Sequence, residues 1–137
     1  MDDGQLERRM AALISADVVG YSRLIAEDEI GTIRALGACR KNIRALADEN
    51  AGRLVDFVGD NFLAEFPEAL NALRCARQIH AFSKTLNRNI PSRRQLIFRI
   101  GIHMDQVTAE DDRLYGDGVN IAARLESLAK PGGICIS

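Results

Sequence analysis

The run from Met10 to Val19, MAALISADVV, is apolar at nearly every position and carries one acid near its end, Asp17. A strand wetted on one side alternates apolar and polar residues, so a continuous run of this kind predicts a strand covered on both faces. Other segments must supply the covers. The chain has the means: of its 137 residues 47% are hydrophobic and 27% charged, the balance of one ordinary globular domain with a real core.

The covering segments follow in order. Beyond GYSRLIAEDE, residues Ile33, Leu36, Cys39, Ile43 and Leu46 recur at helical spacing, with acids at 27–29 where a helix N-terminus favours negative charge and Gly52 beyond its last turn. LVDFVGDNFLAEF, residues 54–66, reads as two strands joined at Gly-Asp-Asn. A second helix follows Pro67, with Ala69, Leu73, Ala76, Ile79 and Leu86 on one face. LIFRIGIHM alternates as a strand, with Phe98, Ile100, Ile102 and Met104 on one side, and AEDDR is an acidic loop. YGDGVNIAARLESLAK predicts a third helix with a core stripe of Ile121, Leu125 and Leu128, and ICIS opens a last strand after PGG. The order β-α-β-β-α-β-α-β predicts an α+β fold of ferredoxin-like type, with helices packed on a mostly antiparallel sheet. The chain stops inside an apolar strand, from which we expect a domain incomplete at its C-terminus.

Several classes fall away. A net charge of -1 gives no basic field for nucleic acid. No apolar run approaches the roughly 20 residues of a membrane span, and no signal segment opens the chain, which predicts a cytoplasmic location. Cys39, Cys75 and Cys135 are odd in number and widely spaced, which suits buried thiols better than a disulfide framework or zinc site. His80 reads as a surface residue and His103 as a contact on a sheet face.

Asp17 and Asp60 stand at a strand end and a hairpin tip. If their strands are neighbours, the carboxylates converge and invite either a shared proton or a divalent cation, and with Mg²⁺ a phosphoryl reaction. The plainer alternative is turn and cap chemistry. Asn120 and Arg124, four apart on a helix, share a face suited to ribose and phosphate, or form a merely solvated one.

SADVVGYSRL, VGDNFLAEF and YGDGVNIAARLE, in this order and at these intervals, resemble the class III adenylate/guanylate cyclase catalytic domain, in its bacterial branch. The resemblance covers residues 9–137 and leaves 1–8 as an N-terminal segment. It implies that Asp17 and Asp60 hold two Mg²⁺ or Mn²⁺ ions with help from the Val18 carbonyl, and that Gly20, Tyr21 and Ser22 offer amides to a nucleoside triphosphate. It further implies that Asn120 orients the ribose, that Arg124 stabilises charge in the transition state, and that the site forms between two head-to-tail copies. The implied reaction converts ATP to 3′,5′-cyclic AMP and pyrophosphate.

Two departures stand out. Where adenylate cyclases of this class carry a Lys and an Asp that read adenine, this chain has Asp56 and Arg113, with the charges exchanged. The pair is compatible with adenine, with guanine, or with a salt bridge that has lost selectivity. ATP is the expected substrate and GTP the alternative. A phosphate-binding Lys expected from a C-terminal hairpin lies beyond Ser137. Together these departures keep open a third reading, a cyclase-like module that regulates without turnover. A diguanylate-cyclase relative is disfavoured because VGDNF does not match its hairpin.

Overall fold

In the computed structural model, which describes residues 6–137, the elements are β1 (Leu6–Val18), α1 (Tyr21–Glu27), α2 (Glu29–Glu49), β2 (Arg53–Val58), β3 (Asn61–Phe66), α3 (Ala69–Leu86), a 3-10 turn at Ser92–Arg94, β4 (Phe98–Glu110), β5 (Arg113–Tyr115), α4 (Asp117–Leu128) and β6 (Ile134–Ile136). Of the expected N-terminal segment, residues 1–5 lie outside the described residues and 6–8 begin β1. The strands form one sheet in the order β2-β3-β1-β4-β5, antiparallel at each step, and β6 adds in parallel to β4. The α+β architecture is the expected one.

The apolar run is the inner strand of this sheet. Its pairing with β4 is unbroken from Leu6↔Glu110 to Val18↔Phe98. Successive side chains on a strand point to opposite faces. Ala12, Ile14, Ala16 and Val18 therefore join Ile100, Ile102, α2 and α3 in the main core, while Ala11 and Leu13 join Val107 and Ala122 under α4 on the other face. Both faces of β1 are covered, as its composition demands.

The local signals at the helix ends are realised. Asp28 caps α2, its Oδ1 accepting from the Gly31 N–H at 3.1 Å, and Glu29 lies in the first turn. The Gly52 N–H closes the far end on the Ala47 carbonyl at 2.8 Å. Leu36, Cys39 and Ile43 in α2 and Ala76 and Ile79 in α3 are buried as expected, whereas the ends of the stripes differ: Thr32 and Ala47 are buried in place of Ile33 and Leu46, and Ala72, Cys75 and Ser83 in place of Ala69, Leu73 and Leu86. Burial pushes the Cys39 and Cys75 thiols up to about 11 and about 12, which leaves them inert at neutral pH. Cys135 is half-buried.

β4 runs through Glu110, well past the expected end at Met104, and turns at Asp111 and Asp112 into β5. The reason is a change of covered side. Phe98, Ile100 and Ile102 face α2 and α3, whereas Val107 and Ala109, of opposite parity, are buried on the α4 side. Simple alternation fails at the crossover while the backbone ladder to β1 continues.

At the other end of the α4-side face, Glu65 is 6% exposed and is held by two arginines. Arg9 Nη2 and Arg53 Nε each donate to its Oε1 at 2.6 Å. Burial works to raise the Glu65 pKa, but the hydrogen bonds and charges of Arg9 and Arg53 outweigh it and hold the carboxyl below its usual value. A carboxyl lowered in the folded state contributes stability above its unfolded pKa, and that contribution disappears as pH falls through the lowered value. Chemical denaturation of Glu65→Gln should therefore show a clear loss of stability against wild type at pH 7, with the gap closing in strong acid. A gap independent of pH would assign the loss to packing rather than to charge.

Candidate active site

The β1–β3 register, Ala16↔Phe62, carries the hairpin tip to the end of β1. Gly59 supplies the left-handed backbone of that tip, with φ +59°. Asp60 then folds back so that its Oδ2 accepts the Val18 N–H at 3.0 Å. Asp17 and Asp60, 43 positions apart in the chain, thus meet at one end of the sheet. Val18 joins them through its own backbone, and Gly20, Tyr21 and Ser22 lead directly into α1 beside them.

Asp17 is not left alone there. Arg99, its cross-strand partner on β4, donates Nε to Asp17 Oδ1 at 3.0 Å and Nη2 to Oδ2 at 2.7 Å, a two-pronged pair. The same Nη2 is 3.9 Å from Glu126 Oε2, and Nη1 donates to the Ser127 carbonyl at 3.4 Å. Glu126 is 5% exposed and accepts the Ser15 hydroxyl at 3.0 Å. Its burial, reinforced by the Asp17 carboxylate against it, pushes its carboxyl up to about 7. Arg99 moves the other way: hydrogen bonding to Asp17, with the charges of Glu126 and Asp60, favours its charged form.

Nothing in the motifs of the sequence singles out Ser15, Arg99 or Glu126. The available signal was parity, since Ser15 and Asp17 share a face of β1, and Arg99 and Gly101 are the non-apolar side of FRIGI.

Asn120 and Arg124 are both exposed on α4, and the expected stripe of this helix requires correction. The residues buried against the sheet are Gly118, Ala122 and Glu126, while Ile121 and Leu125 are half-buried and Leu128 is 74% exposed. The cause is Gly101 of β4. A Cβ built there would lie 2.3 Å from the Glu126 nitrogen and 2.5 Å from the Ala122 carbonyl oxygen, so the helix backbone rests directly on the strand. Small residues make that approach possible, and apolar periodicity does not report it. Asn120 and Arg124 are two positions from the buried stripe, about 200° around the helix, and so point away from their own sheet.

Asp56 follows an irregularity in β2 and is exposed; Arg113 opens β5 and is exposed. Although these strands are the two ends of the sheet order, β2 and β5 approach each other closely. Among the described residues no ion pair joins Asp56 to Arg113, so the expected salt-bridge alternative finds no support. The Arg113 guanidinium instead lies beside the Tyr115 hydroxyl, which favours its charged form. His80, read as a surface residue, is half-buried with Nε2 3.0 Å from the Gly133 carbonyl oxygen; burial holds its pKa low. His103 bridges Asp105 at 3.2 Å and Ser137 at 2.8 Å on the sheet.

The structure thus sets two acids at a strand-and-hairpin end and displays an Asn/Arg pair on a separate helix, the arrangement that the resemblance to nucleotide cyclases implies. The family model described as the adenylate and guanylate cyclase catalytic domain matches residues 7–137, and the chain belongs to that family. It is 42% identical over 96% of its length to the Rhizobium meliloti protein named "Putative adenylate cyclase 3", and 28% identical over 98% to an adenylate cyclase of Streptomyces coelicolor. It spans 23% and 34% of those two proteins. Among solved structures it is similar to an adenylate/guanylate cyclase/hydrolase from Silicibacter pomeroyi, with 37% identity, a TM-score of 0.83, and coverage of 96% of this chain and 76% of that one. The adenylyl cyclase CyaB from P. aeruginosa shares the fold at 23% identity, with a TM-score of 0.87 and coverage of 97% and 79%. No helix among the described residues is long and apolar enough to cross a membrane.

The seat of α4 gives a direct test. Gly101→Ala should destabilise the domain by about 1–3 kcal/mol, the range for overpacking a tight contact. Gly37→Ala, in α2 where an added Cβ meets nothing within 4 Å, should stabilise it by roughly 0.5–1 kcal/mol. Urea denaturation of both variants checks the pair. Equal effects would mean that Gly101 is not the contact point of α4.

Proposed function

We propose that the chain is the catalytic domain of an adenylate cyclase, working as a pair of identical chains and converting ATP to 3′,5′-cyclic AMP and pyrophosphate. The observation that carries this reading is the meeting of Asp17 and Asp60 at the joined ends of β1 and the hairpin, in a chain of the cyclase family. The residues present fit divalent cations. Asp17 and Asp60 lie at the same end of the sheet, with Asp60 held by the N–H of the residue after Asp17, and Mg²⁺ is commonly held by one or two carboxylates together with phosphate oxygens. No group of three metal-ligating side chains occurs among the described residues, so the triphosphate itself would complete the shell.

Asp17, Asp60 and the Val18 carbonyl would hold two Mg²⁺ or Mn²⁺ ions. When bound, these supply charge neutralisation at the phosphates and a more acidic 3′-hydroxyl. The residues of the chain do the rest. The turn Gly20, Tyr21 and Ser22 presents amides to the phosphates. Asn120 holds the ribose so that its 3′-oxygen lies in line with the α-phosphorus. The 3′ O–P bond forms as the bond to the β-phosphate bridging oxygen breaks, the hydroxyl proton passes to solvent, and pyrophosphate departs. Arg124 meets the charge that grows on the phosphorus oxygens. Because Asn120 and Arg124 face away from their own sheet, each pair serves the carboxylates of a second copy.

Base choice rests on Asp56 and Arg113. Their freedom from each other leaves a carboxylate and a guanidinium available to a base edge, and this is compatible with guanine as well as adenine. A guanylate cyclase is therefore the second reading. Chromatographic analysis of products with Mn²⁺, offering ATP and GTP in parallel to the protein, should give cyclic AMP in excess. Cyclic GMP in excess would move the assignment to GTP. Absence of both products from a confirmed dimer would leave a regulatory module without turnover.

The shared site makes a sharper prediction. Asp60→Asn and Arg124→Ala chains should each be inactive alone. Mixed in equal amounts they should recover about a quarter of wild-type activity, since half the dimers are mixed and each contains one intact site. No recovery from mixed dimers of demonstrated composition would rule out the two-chain site.

A further inference from the structure

Arg99 occupies the very carboxylate that the proposed function gives to a cation. Both Asp17 oxygens are engaged by the guanidinium, at 3.0 and 2.7 Å. This two-pronged pair opposes a cation at Asp17, because it takes one lone pair of each carboxylate oxygen and stands a positive charge beside them. A cation binds Asp17 best when Arg99 moves aside, and Glu126 lies where the guanidinium can go. Its Nη2 is already 3.9 Å from Glu126 Oε2, and its Nη1 is within 3.4 Å of the Ser127 carbonyl at the end of α4. Glu126 is a deeply buried acid whose other oxygen is fixed by the Ser15 hydroxyl. A buried carboxyl without a cationic partner is costly, and apart from Arg99 no Lys or Arg forms an ion pair with it among the described residues.

We infer that Arg99 is an exchangeable counter-ion of the metal site: it neutralises Asp17 when no cation is bound and transfers to Glu126 when a divalent cation takes Asp17. This rests on the reading that Asp17 and Asp60 bind divalent cations. Arg99 and Glu126 are positioning residues in this scheme, acting on the ion through Asp17. The movement is a pivot of the guanidinium about its last torsions, since the Ser127 carbonyl stays within reach throughout. Gly101 holds the Glu126 backbone against β4, so the receiving carboxyl is fixed while the arginine moves. The device keeps the acidic strand end neutralised in both states, which two unpaired carboxylates at one site would not be.

The test is Mn²⁺ binding without nucleotide, followed by the electron paramagnetic resonance signal of the free ion. Arg99→Gln removes the competitor and should tighten binding about tenfold. Glu126→Gln removes the receiving acid, leaves Arg99 on Asp17, and should weaken binding about tenfold. The decisive result is the double variant. With no arginine to relocate, Glu126→Gln should have little further effect, so Arg99→Gln/Glu126→Gln should bind like Arg99→Gln alone. A merely structural role for Glu126 would weaken binding equally in both backgrounds, and that result overturns the exchange. So does failure of Arg99→Gln to tighten binding. If Glu126→Gln does not fold, Arg99→Lys decides: it keeps the charge and should not reach the affinity of Arg99→Gln, and equal affinities overturn the proposal. Asp60→Asn separates the two levels of inference. Mn²⁺ binding unaffected by that change removes the metal site itself, whereas binding lost in Asp60→Asn but indifferent to Arg99 removes only the exchange.

Discussion

The pairing of β1 with β4 is the constraint on which the remaining structure depends. Thirteen residues on each strand lie in unbroken antiparallel register, and both faces of the ladder are covered. Register in such a pair admits no slip, because a shift by one would exchange the residues packed under α2 and α3 with those packed under α4. Once the ladder is set, Arg99 must face Asp17 and Gly101 must face Ser15. The β2–β3 hairpin adds along the free edge of β1 and delivers Asp60 to Val18. Acids, arginine and helix seat are thus consequences of one register.

That face of the sheet carries charge at both ends and apolar packing between. Glu65 with Arg9 and Arg53 occupies one end; Asp17, Arg99 and Glu126 occupy the other. The two clusters differ in balance. Two cations hold one acid in the first, which keeps Glu65 ionised, whereas one cation is shared among acids in the second, and Glu126 is driven toward its neutral form. The surplus of carboxyl groups over cations lies at the end of the sheet proposed to bind divalent cations.

Much of this was legible in the sequence because it is written locally. The continuous run around Leu13, the turn at Gly59 and Asp60, and the acids that begin α2 each state their structure within a few residues. What was not legible depends on contacts between distant segments. Apolar periodicity misplaces the stripe of α4 because the reason for Ala122 and Glu126 facing inward is the missing side chain at Gly101, on another element. Alternation carries β4 only to Met104, and AEDDR reads as a loop, because the covered side changes between Ile102 and Val107. Arg99 and Glu126 are 27 positions apart, and nothing in either neighbourhood announces the other. Asp56 and Arg113 are the converse case: the family pattern singles out both, and they lie on β2 and β5, elements at opposite ends of the sheet order that come into contact.

The two-sided character of β1 also partitions the mutational landscape of the domain. Ala12, Ile14 and Ala16 hold the layers together and touch none of the candidate chemistry, whereas Ser15 and Asp17, interleaved with them, bear on the acidic end. Adjacent codons therefore report on different properties. A selection for soluble, folded protein would still constrain Ser15, whose hydroxyl satisfies the buried Glu126, and through the same acid Arg99. Drift in a copy released from turnover would accumulate first at exposed candidates that hold no buried group, such as Asn120 and Arg124, while the fold around them stayed intact.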